Sequence, residues 1–183
     1  MTSVGLRSQP NPLAAPPEMS APPHNLTKPP AIDLCRTPDD TNGHHGRKEG
    51  SMKFISTRII TADVNRLVEF YEMVTEISAV WGNELFAEIP TPVGTLAIGS
   101  DKTVPLFGEG SAEPAANRSA IVEFIVEDVD AEYERLRGRV GEVVTEPTTM
   151  PWGNRALLFR DPDGNLVNLF TPVTEEARVK FGL

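Results

Sequence analysis

Cysteine is almost missing from this chain of 183 residues, with Cys35 the only one. A single thiol makes no internal disulfide, so a reducing, cytoplasmic setting is expected. Histidine is nearly as scarce. His24, His44 and His45 all precede residue 52, and none follows it. From residue 52 onward a His general base, a Cys nucleophile and any ordinary zinc, copper or haem site are excluded. Only an all-oxygen metal site stays open there. Positive charge is in deficit too. Residues 52–183 carry 12 Lys and Arg against 21 Asp and Glu, so the whole formal net charge of −9 lies in them. A nucleic-acid partner, which needs a basic face, is not expected. No apolar run approaches the roughly 18 residues of a membrane span, so no membrane partner is expected. No basic segment followed by an apolar run opens the chain, so no secretory signal is expected.

Residues 1–51 lack apolar periodicity and hold 9 of the 17 prolines. Pro16-Pro17, Pro22-Pro23 and Pro29-Pro30 favour extended polyproline geometry. Such a stretch cannot bury enough surface to offset its ordering entropy, and it is expected to be a disordered tail. Two further readings stay open: a docking segment for a proline-recognising partner, or a true start at Met52. His44-His45, between Gly43 and Gly46, is the one hint of metal capture in the tail.

What the rest of the chain does have is a hairpin and a duplication. Asp161-Pro162-Asp163-Gly164 is a turn. Pro162 fixes its own φ, the two aspartates can bond nearby backbone, and Gly164 accepts positive φ. The strands expected around it are residues 155–159 and 165–170. Within the second strand Leu166, Asn168 and Phe170 share a face, and Asn168 is a lone amide among apolar neighbours. The duplication relates residues 56–64 to residues 121–129 at an offset of 65. Each copy is a strand ending in Asp63 or Asp128, a good helix N-cap, and then a helix. Leu67, Phe70, Tyr71 and Val74 form the apolar face of the first helix; Val129, Tyr133, Leu136 and Val140 form that of the second. Strands are expected at 79–81, 85–89 and 94–98, and again at 142–146, 155–159 and 165–170. Gly94-Thr-Leu96 and Gly164-Asn-Leu166 look like equivalent strand starts. The folded part therefore divides into a first module at 52–98, a linker at 99–119, a second module at 120–172 and a C-terminal tail at 173–183.

The tandem βαβββ pattern, with Phe70-Tyr71 early and Asp161-Pro-Asp-Gly-Asn165 late, resembles the vicinal oxygen chelate superfamily, the glyoxalase, bleomycin-resistance and extradiol-dioxygenase group. The resemblance covers residues 52–172. It implies an α+β fold in which the two modules form a curled, barrel-like mixed sheet around a central cavity, with the helices outside. It also implies where a metal would bind. Carried onto this chain, the ligand positions are Ser56, Ile98, Ile121 and Asn168. Two of these cannot ligate through a side chain and none is anionic, whereas a divalent cation needs charge and several donors. No metal and no cofactor are therefore expected, and glyoxalase or dioxygenase chemistry is disfavoured. Relatives of this kind commonly dimerise, and the Gly/Pro-rich linker lets the second module pair with its own chain or another. A homodimer is expected.

With the ligand positions facing the cavity, alternation lines it with Phe54, Ser56, Arg58, Ile60, Leu96, Ile98, Ile121, Glu123, Ile125, Leu166, Asn168 and Phe170. Such a mostly apolar wall with a few polar groups suits a small molecule, though the same residues can simply fill a packed interior. Trp152, in Met150-Pro-Trp-Gly-Asn154, can lie over a flat ligand at the mouth or plug the sheet edge; Trp81-Gly82 reads likewise. Arg58 and Glu123 are related by the duplication offset and are expected to pair in the cavity, or else to reach solvent. Two functions follow. One is a metal-free protein that binds a flat, apolar or cationic small molecule. The other is a metal-independent lyase or isomerase with Glu123 as general base. The candidate binding residues are Ser56, Arg58, Ile98, Ile121, Glu123, Trp152, Asn168 and Phe170.

Overall fold

The computed structural model describes residues 53–183. The expectations for residues 1–51, for Cys35 and the three histidines, and for a start at Met52 lie outside the described residues. The element order is β1 (Ser56–Thr61), α1 (Val64–Thr75), β2 (Val80–Asn83), β3 (Phe86–Pro90), β4 (Thr95–Ser100), β5 (Ile121–Ile125), α2 (Val129–Leu136), β6 (Val143–Thr149), β7 (Asn154–Arg160), β8 (Leu166–Pro172) and α3 (Glu175–Phe181). These are two βαβββ modules in tandem, as the duplication predicts. No helix among the described residues is long and apolar enough to cross a membrane.

Both expected caps form. The Asp63 side chain accepts from Arg66 N, and that of Asp128 from Asp130 N and Ala131 N, which satisfies orphan donors of each first turn. α1 buries Val64, Leu67, Val68, Phe70, Tyr71 and Val74, the three-and-four spacing of one helical face. It stops at Glu76, which takes a left-handed conformation.

Each module folds into its own four-stranded sheet, in the orders β1-β4-β3-β2 and β5-β8-β7-β6. In each, the first and last strands of the module pair in parallel and the remaining pairs are antiparallel. Consequently β1 and β5 are edge strands. The helix-facing residues of both sheets, among them Ile89, Leu96, Ile98, Leu157, Phe159, Val167 and Leu169, pack with α1 and α2 in one core.

α1 joins the modules. The Phe70 ring meets Phe159 edge-on at 6.2 Å between centroids. Tyr71 Oη donates to Asp161 Oδ2 at 2.9 Å. Asp161 also accepts from Asp163 N at 2.9 Å, Asn165 N at 2.8 Å and Asn165 Nδ2 at 2.8 Å, so this buried carboxylate is fully engaged. Burial pushes the Tyr71 phenol well above its ordinary value, and the neighbouring Asp161 charge pushes it further. Arg66 pairs with Asp163. At the other end of α1, Arg135 of α2 donates to the carbonyls of Met73 and Val74 at 2.8 and 2.7 Å, where a cation complements the helix dipole.

Three expectations need correction. Ile98 does not face the cavity. Arg58 pairs with Ala97, while Ile98 pairs with Ile59 and is fully buried in the helix-side core. The equivalence of Gly94 with Gly164 causes the error. Ser56 sits opposite Thr95 and Ile121 opposite Leu166, so the last strands correspond at an offset of 71 (166 − 95) rather than 70. A slip of one residue turns every side chain to the other face. Leu96 shares the helix-side face with Ile98 but also reaches the cleft wall. Ala97 is the true counterpart of Asn168. Second, the segment at 173–183 is not a plain tail, because it contains α3, capped by the Thr174 side chain on Ala177 N and closed by Gly182. Third, the linker at 99–119 starts with the last two residues of β4 and a 3-10 turn over Asp101–Leu106.

Candidate functional site

Because β1 and β5 are both edges, the molecule opens between them, and the opening reaches the C-terminal end of α1, with Val74, Glu76 and Arg135 on its wall. A cleft of about 1420 Å³ lies there. It is roomier than the roughly 300–1,000 Å³ of a typical small-molecule site. Of the residues expected in the cavity, Phe54, Arg58, Ile60, Leu96, Ile121, Glu123, Ile125, Trp152 and Phe170 line this cleft together. Ser56, Ile98 and Asn168 are not on its wall. Ser56 stays near it, two residues from Arg58 on β1, and is half-buried. Ile98 is in the core, as described above.

Asn168 acts through a neighbour. Its Nδ2 donates to Glu123 Oε1 at 2.8 Å across the β5–β8 pair. The Asn168 Oδ1 atom is buried and has no hydrogen-bond partner among the described residues. Phe170, opposite Ile125, is buried with its ring 5.3 Å from that of Phe181, so α3 closes one end of the second sheet's open face. Trp152 is 68% exposed, on the β6–β7 loop. That loop is fixed from behind. Gly153 has φ +89°, and a Cβ there would lie 2.3 Å from Thr174 Oγ1, the N-cap of α3. The loop thus admits only glycine at 153, and it holds the indole out from the surface. Trp81 is partly exposed on β2, beside a register irregularity at Gly82.

The expected ion pair of Arg58 with Glu123 does not form, since no salt bridge among the described residues includes either one. β1 and β5 are not hydrogen-bonded neighbours, so the duplication makes the two residues equivalent without bringing their side chains together. Instead the Arg58 guanidinium sits 4.8 Å from the Phe86 ring centroid and 5.5 Å from that of Phe107, within cation–π range of both. Sequence reasoning missed this arrangement. Phe107 lies just past the 3-10 turn, and no local periodicity links it to β1.

A metal at the family's position would meet Ser56, Ala97, Ile121 and Asn168 once the register is corrected. That set offers a hydroxyl and an amide and no anion, so it does not fit a divalent cation. No group of three or more His, Cys, Asp or Glu suited to a metal occurs among the described residues.

Two tandem βαβββ modules around an open cleft define a class, and the comparisons agree with it. Residues 53–169 match the Glyoxalase/Bleomycin resistance protein/Dioxygenase superfamily. The chain belongs to this superfamily. The uncharacterized protein YraH of Bacillus subtilis is 30% identical over 127 residues, which covers 65% of this chain and 98% of YraH. Among solved structures, a glyoxalase/bleomycin resistance protein/dioxygenase from Nocardioides is 23% identical with a TM-score of 0.59, over 70% of this chain and 89% of that one. A protein of unknown function from Agrobacterium tumefaciens is also 23% identical with a TM-score of 0.59, over 69% of this chain and 98% of that one. These two structures establish likeness of fold.

Proposed function

We propose that this protein is a metal-free, cytoplasmic member of its superfamily that binds a small, flat or apolar molecule in the cleft between its modules and works as a homodimer. The observation that carries the reading is the lining of the cleft. Ile121, Phe170 and Trp152 supply apolar and aromatic surface, and Arg58 and Glu123 supply a few polar groups, the usual composition of a small-molecule site. The four residues at the family's metal position support the metal-free part. The dimer is supported by exposed apolar residues around the edges of β1 and β5, Ile55 outside the cleft and Phe54, Ile121 and Ile125 on its wall, so that a second copy would enclose the cleft.

The test is a thermal-shift screen of the full chain, first stripped with chelator. An aromatic compound that raises Tm and is recovered chemically unchanged supports binding. Turnover of that compound, lost in Glu123→Gln, would instead favour a metal-independent enzyme. Stoichiometric nickel, zinc, iron or manganese in the purified protein would contradict the metal-free reading. A monomeric mass by light scattering at micromolar concentration would contradict the dimer.

A further inference from the structure

The charge balance of residues 52–183 favours a cation near this protein, but Arg58, the cationic side chain that β1 places on the cleft wall, has no counter-ion among the described residues. Arg58 is on an edge strand, and its stem passes over Gly99, where a Cβ would come 3.6 Å from Arg58 Cδ. That is ordinary van der Waals contact, so the stem lies along the sheet beside Gly99. The stem carries the guanidinium to the Phe86 and Phe107 rings. Stacking on aromatic rings uses the flat face of a guanidinium and restrains its orientation, while the N–H donors around its rim stay available. Arg58 makes no side-chain hydrogen bond and no salt bridge among the described residues. By contrast, the other arginines of the two modules that meet carboxylates, such as Arg66, Arg135 and Arg155, are already paired. A positioned planar fork with unused donors matches a carboxylate, which takes two parallel N–H bonds from it.

We infer that Arg58, steadied by Phe86 and Phe107, anchors the carboxylate of an organic acid whose carbon body lies on the apolar wall of the cleft. This rests on the reading of the cleft as a ligand site and names the class of ligand. The contrary pull of the net charge is a long-range effect that salt screens within about 8 Å at physiological ionic strength. The Glu123 carboxylate belongs to β5, across the cleft, and one of its oxygens already accepts from Asn168.

The test uses the full chain and three probes that share one ring system: 2-naphthoate, 2-naphthamide and 2-naphthylmethylammonium, titrated by calorimetry. The expected result is naphthoate binding at least about ten-fold tighter than the amide, the size of one charge-assisted contact. In Arg58→Met, which keeps an unbranched stem over Gly99, that ratio should fall to about one. Arg58→Lys should restore the preference only in part, because an ammonium lacks the fork. Equal binding of acid and amide by the wild type, a preference for the ammonium, or a ratio that survives in Arg58→Met would each overturn the inference while leaving the cleft as a binding site. Binding of none of the three would overturn the ligand-site reading itself, and this inference with it.

Discussion

The two modules meet on one side of the molecule and part on the other, and the two sides are built from different materials. On the α1 side the polar groups at the centre of the contact are used, Tyr71 on Asp161 and the Asp161 carboxylate on its own turn, while Arg135 on the end of α1 borders the cleft. On the strand side, among the described residues, β1 and β5 are unpaired edges, apolar residues are exposed, and Arg58 lies over rings without a counter-ion. The pieces of sequence that make this chain recognisable, Phe70-Tyr71 and Asp161-Pro-Asp-Gly-Asn165, belong to the closed side, except that Asn165 also reaches the cleft wall. They identify the fold because they hold its halves together. Most of the cleft wall, Arg58, Ile121, Glu123 and Phe170 among it, comes from residues those motifs do not include.

The comparison can be broken from the closed side first. Asp161→Ala removes the acceptor of a buried phenol, a buried amide and two backbone N–H groups. It should destabilise by roughly 3–5 kcal/mol in urea unfolding. A loss under about 1 kcal/mol would show that the turn does not join the modules. Gly153→Ala places a Cβ against Thr174 and forces alanine to positive φ, and it should cost about 1–3 kcal/mol. Because the same loop carries Trp152, its emission should shift as well. If Gly153→Ala unfolds like wild type, the loop is not held by α3.

Tyr71→Phe should cost about 1–3 kcal/mol and also change the pH dependence. In the unfolded chain the phenol ionises near its ordinary value of 10.0, while burial and Asp161 keep it protonated in the fold. Above pH about 10 the unfolded state therefore holds fewer protons, so stability present below that pH is lost as pH rises. Unfolding measured from pH 8 to 11 should fall more steeply for wild type than for Tyr71→Phe; parallel curves would contradict the buried-phenol account. The smallest effect is expected on the open side. A double-mutant cycle on Arg58 and Glu123 should give a coupling below about 0.5 kcal/mol, and a value above about 1 kcal/mol would show that the two charges meet.

What could be read from the sequence follows the same division. The caps at Asp63 and Asp128, the amphipathic face of α1 and the hairpin turn at Gly164 are local signals within a few residues, and all are found in the structure. The C-terminal helix had its signals too: Thr174 as cap, Glu175 and Glu176 in the first turn, Arg178 and Lys180 in the last, Gly182 at the end. They were readable but span only two turns. The placement of Ile98 failed because Gly94 and Gly164 share a residue pattern without sharing a register. Pairing between strands is a long-range property, and only the ladder of β1 on β4 fixes it. Arg58 on Phe86 and Phe107 was illegible for the same reason, since the contact crosses from an edge strand to the connector between modules. The donor-poor set at the family's metal position was legible even with one residue misplaced, because Ala97 ligates no better than Ile98.

The most direct measurement is the ratio of naphthoate to naphthamide affinity in three full-length proteins: wild type, Tyr71→Phe and Arg58→Met. If the closed side holds the fold and the open side selects the ligand, Tyr71→Phe keeps the wild-type ratio despite its lower stability, and Arg58→Met loses the ratio at near wild-type stability. A ratio lost in Tyr71→Phe, or kept in Arg58→Met, would contradict that division.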